Sequence, residues 1–178
     1  MRKLSHEEIV GRQVAQLKQG QIPFSVILNN VRSLYNVGSI FRTSDGAGVE
    51  KIWLCGITGY PPNNQISKTA LGAEARVPWE YRSDIVSVIK ELKAKNYQLV
   101  LLEQMQNSIA YQQFTPKGPV CLILGNEIDG VSNQVVNHCD KAIEIEMAGV
   151  KNSLNVAVAF GVVAYHLRHC FKAAMTKG

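Results

Sequence analysis

No stretch of this sequence approaches the ~20 consecutive apolar residues that a membrane-spanning helix needs, so a transmembrane protein is not expected. An export leader is not expected either, because the opening MRKLSHEEIV follows its basic residues with Glu7 and Glu8 instead of an apolar block. Cysteine is sparse. Cys55, Cys121, Cys139 and Cys170 lie far apart, three of them in apolar patterns where a reduced thiol packs as a small hydrophobe, which fits a reducing cytoplasm. There is no CxxC and no HExxH, so His138, Cys139, His166, His169 and Cys170 read as core and helix-surface residues and no metal is expected. Also missing are a GxxxxGK[ST] phosphate loop, a GxGxxG turn after the first strand and a GxSxG nucleophile elbow. Those absences count against ordinary nucleotide-dependent oxidoreductases and hydrolases of α/β type. Internal repeats and low-complexity linkers are absent as well.

What remains is 178 residues, 46% hydrophobic and 19% charged, the profile of a globular protein. A chain of this length buries roughly 70% of its unfolded surface as one domain, so residues 1–178 read as a single unit, with residues 1–20 a short helical extension. The net charge of +5 favours a polyanionic partner, although Lys and Arg are scattered and form no block.

Ser5 to Glu8 reads as a capping box ahead of Ile9, Val10, Val14 and Leu17, which predicts an amphipathic helix ending near Gly20. Strands are then expected at Phe24 to Leu28, Lys51 to Cys55, VPWEY, Tyr97 to Leu102, Val120 to Leu124 and AIEIE. Helices are expected from about Asn36 to Ala47, Asp84 to Ala94, near Ser132 to Asn137, and from Ser153 to about Ala174. Near-continuous apolar strands alternating with helices predict an α/β fold, a mostly parallel sheet flanked by helices. In such sheets ligands gather where the carboxyl ends of the strands meet their loops.

Three of those loops have unusual composition. In NNVRSLYNVGSIFR, Asn36 reads as a helix cap, Gly38 permits close approach and Arg42 follows six residues on. In LGNEIDG, Gly125 and Gly130 frame Asn126, Glu127 and Asp129 directly after an apolar strand. In IEMAGVKNSLNVAVAFG, a strand enters a glycine-containing turn and then Ser153, a natural N-cap, opens a long apolar helix. Each also has a plain structural reading: caps for Asn36 and Ser153, a surface helix position for Arg42, turn acids for Glu127 and Asp129.

Taken together and in order, the three loops resemble the SpoU, or TrmH-like, family of RNA 2′-O-ribose methyltransferases in the SPOUT superfamily. Asn36 to Arg42 resembles the family's N-x-G-x-x-x-R, Leu124 to Gly130 its L-G-N-E-x-x-G, and Ile145 to Val156 its I-P-M-x-G-x-x-x-S-L-N-V. The resemblance extends from Phe24 to Leu167, with one departure: Glu146 stands where the family usually has proline, which touches the stiffness of that turn and the charge near the substrate.

The resemblance implies a sheet whose C-terminal portion is threaded into a trefoil knot, a topology that general connection rules would not suggest. It implies S-adenosyl-L-methionine as cofactor, held by Leu102, Glu103, Gly125, Asn126, Ile145, Met147, Ser153 and Leu154. It implies Arg42 beside the reacting hydroxyl, as base or as phosphate clamp, with Asn36, Glu127, Ser153 and Asn155 as the polar shell. RNA is the implied partner, with Arg32, Arg42 and Lys68 as candidate contacts and tRNA ranked ahead of rRNA by analogy with compact members. A homodimer is implied too, with Val156, Val158, Ala159, Val162, Val163 and Leu167 available to serve core and interface. The competing reading is a non-catalytic RNA-binding protein on the same scaffold.

Overall fold

The computed structural model describes residues 1–17 and 22–176. Its centre is a seven-stranded sheet of β1 (Phe24–Asn29), β2 (Lys51–Cys55), β3 (Trp79–Arg82), β4 (Gln98–Leu102), β5 (Ile109–Ala110), β6 (Val120–Leu124) and β7 (Lys141–Glu144). The strand order is β3-β2-β1-β6-β4-β7-β5, and every neighbouring pair is parallel. The predicted mostly parallel α/β sheet is therefore present. β1 and β6 lie side by side at its middle and are buried along their whole length, as the near-continuous apolar run of β1 and the unbroken one of β6 require.

Alternation along β1 sends Phe24, Val26 and Leu28 to one face and Ile27 to the other. The first face packs on α2 (Leu34–Ala47) and α6 (Val156–Met175) through Ile40, Phe41, Phe160 and Leu167. The second packs on α4 (Ile85–Ala94) and α5 (Asn133–Val136) through Ile89, Leu92 and Val135. With both faces covered, the free carboxyl edge is where a ligand can reach backbone. At the edge strand β3, Glu80 bridges Lys51 and Arg82, and Arg82 also faces Glu91, a charged fringe that blunts unpaired strand groups.

Two helix starts differ from the sequence expectation, and both differences bear on the site. Ser33, not Asn36, caps α2: its Oγ accepts from the Asn36 N–H at 3.3 Å, and the helix begins at Leu34. Asn155, not Ser153, caps α6: its Oδ1 accepts from the N–H groups of Ala157 and Val158 at 2.9 and 3.4 Å, and the helix begins at Val156. Ser and Asn cap about equally well, so tertiary contacts select between them. The strand AIEIE ends at Glu144, which leaves Ile145 and Glu146 in the following loop. The sequence reading missed α3 (Asn64–Ala70) and β5 altogether.

The predicted capping box opens α1 (His6–Leu17): the Glu8 N–H donates to Ser5 Oγ at 3.2 Å and the Ser5 N–H to Glu8 Oε2 at 2.8 Å. The expected end of that helix near Gly20 lies outside the described residues. No helix among the described residues is long and apolar enough to cross a membrane.

Candidate functional site

The loops after β4, β6 and β7 converge with the entry to α6 on a cleft of about 630 Å³ at the carboxyl edge of the sheet. It brings together Leu102, Glu103, Gly125, Asn126, Ile145, Met147, Ser153 and Leu154, along with Glu127 and Asn155. Residues from three separate loops thus share one cavity. Leu102, Leu124, Ile145, Met147 and Val156 form the apolar part of the wall, and polar residues of the same loops form the rest.

The β6 loop is held in shape by Asn126, which is buried. Its Nδ2 donates to the Asn30 carbonyl at 2.9 Å, and its Oδ1 accepts from the N–H groups of Ile128 and Asp129 at 2.9 and 3.0 Å. Its backbone exchanges two 3.0 Å bonds with Gly130. The Asn126 side chain is therefore committed to building the loop, and what it offers a ligand is loop geometry. Gly125 is sterically required: a Cβ there would sit 2.5 Å from Val131 Cγ2 and 2.6 Å from the backbone of Gly130. At Gly130, φ is +62° and a Cβ would meet Glu103 Oε2 at 2.6 Å, so glycine is needed on both counts.

At the rim, Asn36, Glu127 and Asn155 form a chain of side-chain bonds. Asn36 Nδ2 donates to Glu127 Oε1 at 3.2 Å, and Asn155 Nδ2 donates to Asn36 Oδ1 at 3.0 Å. Because Ser33 takes the capping role, the Asn36 amide is free to link residues 91 and 119 positions away. Glu127 also accepts from the Arg32 N–H at 3.3 Å. Partial burial pushes the Glu127 carboxyl up, but the hydrogen bonds from backbone N–H groups and from Asn36 together outweigh it and leave the group below its ordinary range.

Arg42 is not part of the cleft wall. It is exposed on α2, and its guanidinium makes no hydrogen bond or ion pair among the described residues. Arg32 is exposed, with its guanidinium 3.9 Å from Asp129, and Lys68 is exposed on α3. Ser153 lies in the cleft wall ahead of the helix instead of capping it. Glu146 is exposed and lines a neighbouring depression with Lys151, not the cleft. Its replacement of the family proline therefore places no charge in the cavity.

The sequence reading missed Gln104, Glu144 and Asn152, which also line the cleft. Gln104 Nε2 donates to the Asn152 carbonyl at 2.5 Å, tying the β4 loop to the segment before α6, and Ser108 Oγ bonds the Glu144 carboxylate. Reading one residue past Glu103 would have found Gln104. Glu144 was concealed by the I-E-I-E alternation of a half-buried strand. The titratable side chains lining the cleft are Glu103, Glu127 and Glu144, all acidic, so the cavity suits a ligand that carries positive charge.

The family model described as SpoU rRNA Methylase matches residues 23–165. The chain is 32% identical over 151 residues to a 23S rRNA (guanosine-2′-O-)-methyltransferase, RlmB, of Pectobacterium atrosepticum, covering 85% of this chain and 62% of that protein. It is 31% identical over 155 residues to a putative TrmH family tRNA/rRNA methyltransferase of Staphylococcus saprophyticus, covering 86% and 62%. The chain thus spans about three fifths of the length of these relatives. Among solved structures, the A. aeolicus TrmH/SpoU tRNA modifying enzyme superposes with a TM-score of 0.80 at 27% identity, covering 94% of this chain and 86% of that one. An AdoMet-bound rRNA methyltransferase from Sinorhizobium meliloti superposes with a TM-score of 0.78 at 28% identity, covering 84% and 56%.

Proposed function

Because the chain belongs to the SpoU rRNA Methylase family, we propose that it is an RNA ribose-2′-O-methyltransferase that binds S-adenosyl-L-methionine in the carboxyl-edge cleft. The observation that carries this reading is the cleft itself. All eight residues expected to hold the cofactor line one cavity, whose titratable groups are all carboxylates. A cationic sulfonium ligand is complementary to that charge, and the apolar wall of Leu102, Leu124, Ile145 and Met147 suits an adenine ring. Family membership also implies that the segment running through β6 and β7 is threaded as a trefoil knot.

Bound there, the cofactor would supply a methyl group already activated on sulfur, so the protein's work is positioning and management of the hydroxyl proton. Asn36, Glu127 and Asn155 form the polar shell at the cleft mouth, and Ser153 offers a further hydroxyl beside them. A guanidinium has no acceptor and keeps its proton. Arg42 therefore acts by clamping an RNA phosphate, which makes the neighbouring 2′-hydroxyl easier to deprotonate.

Transfer RNA is the favoured substrate. The A. aeolicus protein that this chain matches over 86% of its length is described as a tRNA modifying enzyme. A second copy of the chain covers α6, where Val158, 54% exposed, and Tyr165, 53% exposed, flank half-buried Val162 at positions 158, 162 and 165 of one helical face. Val163 and Leu167 are buried in the core, so core and interface positions separate along this helix. With all four cysteines free and burial pushing Cys55 up to about 12, the thiols suit a reducing cytoplasm.

The test is a thermal-shift comparison followed by a transfer assay. S-adenosyl-L-methionine at ~100 times its Kd should stabilise by about 2.7 kcal/mol, a rise of about 5–10 °C, whereas NAD and ATP should not. Arg42→Ala should abolish transfer to a tRNA fraction and leave cofactor affinity within about twofold. Loss of cofactor binding in Arg42→Ala contradicts the assignment, and failure of the parent protein to bind the cofactor restores the non-catalytic reading.

A further inference from the structure

The loop joining β2 to α3 is tied down by hydrogen bonds to the neighbouring turn, yet it leaves apolar surface in water. Its Ile57 N–H donates to Asn30 Oδ1 at 3.0 Å. Its Thr58 Oγ1 accepts from the Val31 N–H and donates to the Leu28 carbonyl, both at 3.0 Å. These bonds fasten it to the β1-to-α2 turn that carries Arg32. A Cβ on Gly59 would drive into the Leu34 side chain, so the loop backbone lies directly on the first residue of α2, two positions before Asn36.

The next residue, Tyr60, tops an aromatic stack. Its ring centroid is 4.6 Å from Tyr81 and 6.3 Å from Trp79, which share one face of edge strand β3. Tyr81 is itself fixed by donating its hydroxyl to the Gly56 carbonyl at 2.9 Å. Tyr60 thus packs beside two rings of the sheet edge. Here Tyr60 remains 47% exposed and Ile57 65% exposed. Arg32, on the turn to which the loop is fastened, and Lys68, on the helix that follows the loop, are exposed as well.

We propose that Tyr60, flanked by Ile57, is a stacking platform for an unpaired nucleobase close to the modified ribose. This rests on the reading of the chain as an RNA-acting protein and adds to it the class of substrate: a loop or bulge, not a continuous duplex. A prefixed ring stacks on a base without losing rotamer freedom, and every base has a π face. Bases inside a helix are already stacked on one another and cannot use the platform. A second copy of the chain is the weaker occupant, because the exposed stripe of Val158 and Tyr165 on α6 is the face already given to it.

The experiment compares an RNA hairpin bearing an unpaired loop with a fully paired RNA duplex, by fluorescence anisotropy across a salt series. Tyr60→Ala should weaken hairpin binding about tenfold, leave duplex binding within about twofold and keep the salt slope, since no phosphate contact is lost. Tyr60→Phe should behave as the parent protein. Ile57→Ser, on a turn whose hydrogen bonds are made by its backbone, should give a smaller loss in the same direction, and it serves where Tyr60→Ala fails to melt cooperatively. Unchanged hairpin affinity in both variants, equal loss on hairpin and duplex, or a shift from dimer to monomer in sedimentation overturns the proposal. If the parent protein binds the cofactor and methylates RNA while Tyr60→Ala is silent, only the platform fails. If the parent binds neither cofactor nor RNA, the functional reading fails first and takes the platform with it.

Discussion

Asn155 performs two tasks through opposite ends of one amide, and a pair of substitutions separates them. Its Oδ1 caps α6 by accepting from Ala157 and Val158, while its Nδ2 donates to Asn36 at the cleft mouth. Asn155→Ala removes both. Losing a cap costs about 1 kcal/mol, and losing an exposed side-chain bond costs about 0.5 kcal/mol. The sum of about 1.5 kcal/mol should lower the melting temperature by roughly 3–6 °C for a chain of this size. Asn155→Asp keeps an acceptor for both N–H groups and gains about 0.3–1 kcal/mol from a negative charge at a helix N-terminus, which offsets the lost donor. Its stability should stay within about 0.5 kcal/mol of the parent. Its carboxylate then faces the Asn36 carbonyl oxygen, in the chain that already holds Glu127, so the polar shell opens. Methyl transfer should therefore fall in both variants while the melt falls only in Asn155→Ala, read by calorimetric melting and transfer of a labelled methyl group. An Asn155→Asp protein that melts as low as Asn155→Ala refutes the cap reasoning. One that retains full transfer refutes the role given to the Asn36 bond.

Gly125→Ala should destabilise by about 3 kcal/mol, because the clash is with backbone and breaks the paired bonds between Asn126 and Gly130. Gly149→Ala, which would meet nothing within 4 Å, should melt as the parent does, and equal melts for the two variants would show that the cleft loop is softer than its contacts imply. Glu127 is held below the ordinary carboxylate range, so its contribution is present above the unfolded value near ~4.3 and is lost as pH falls through its lower folded value. The melting difference between the parent and Glu127→Gln should accordingly shrink between neutral pH and pH ~3, and a difference that persists unchanged through that range contradicts it. If Arg42 serves the partner's cleft, mixing Arg42→Ala with Glu127→Ala subunits should recover about a quarter of parental transfer, since half the random dimers regain one intact site. No recovery means that Arg42 acts within its own subunit.

The strands were readable because β1 and β6 are near-continuous apolar runs that a sheet covered on both faces buries. Their order was not, since β6 enters between β1 and β4 through contacts such as Asn126 to the Asn30 carbonyl, which no local pattern encodes. The two-residue β5 exists through pairing with β7 alone, and α3 has too few residues for a hydrophobic period to register. The misassigned caps share one cause. Ser33 and Asn36, like Ser153 and Asn155, offer two competent caps within three residues. Which one caps is settled by partners far away in sequence.

The same distinction explains why the site was half legible. Residues whose backbone shapes the cleft, such as Gly125 and Ile145, lie within the three unusual loops and could be read from them. Side chains that meet across loops, such as Gln104 with the Asn152 carbonyl, could not. Arg42 shows the limit most clearly. Six residues of α-helix advance about 9 Å and turn about 240° from Asn36, so the two residues of the first motif point in different directions from one helix. Asn36 turns toward Glu127 and Asn155, while Arg42 faces solvent. A single ribose meets both if the RNA wraps α2 or if a second copy brings Arg42 to the neighbouring cleft. The exposed stripe of Val158 and Tyr165 adjoins α2, with Gly46 packed close to the Tyr165 hydroxyl. Covering that stripe with a second subunit accounts for its apolar surface and for the solvent-facing Arg42 together, whereas wrapping the RNA accounts only for Arg42.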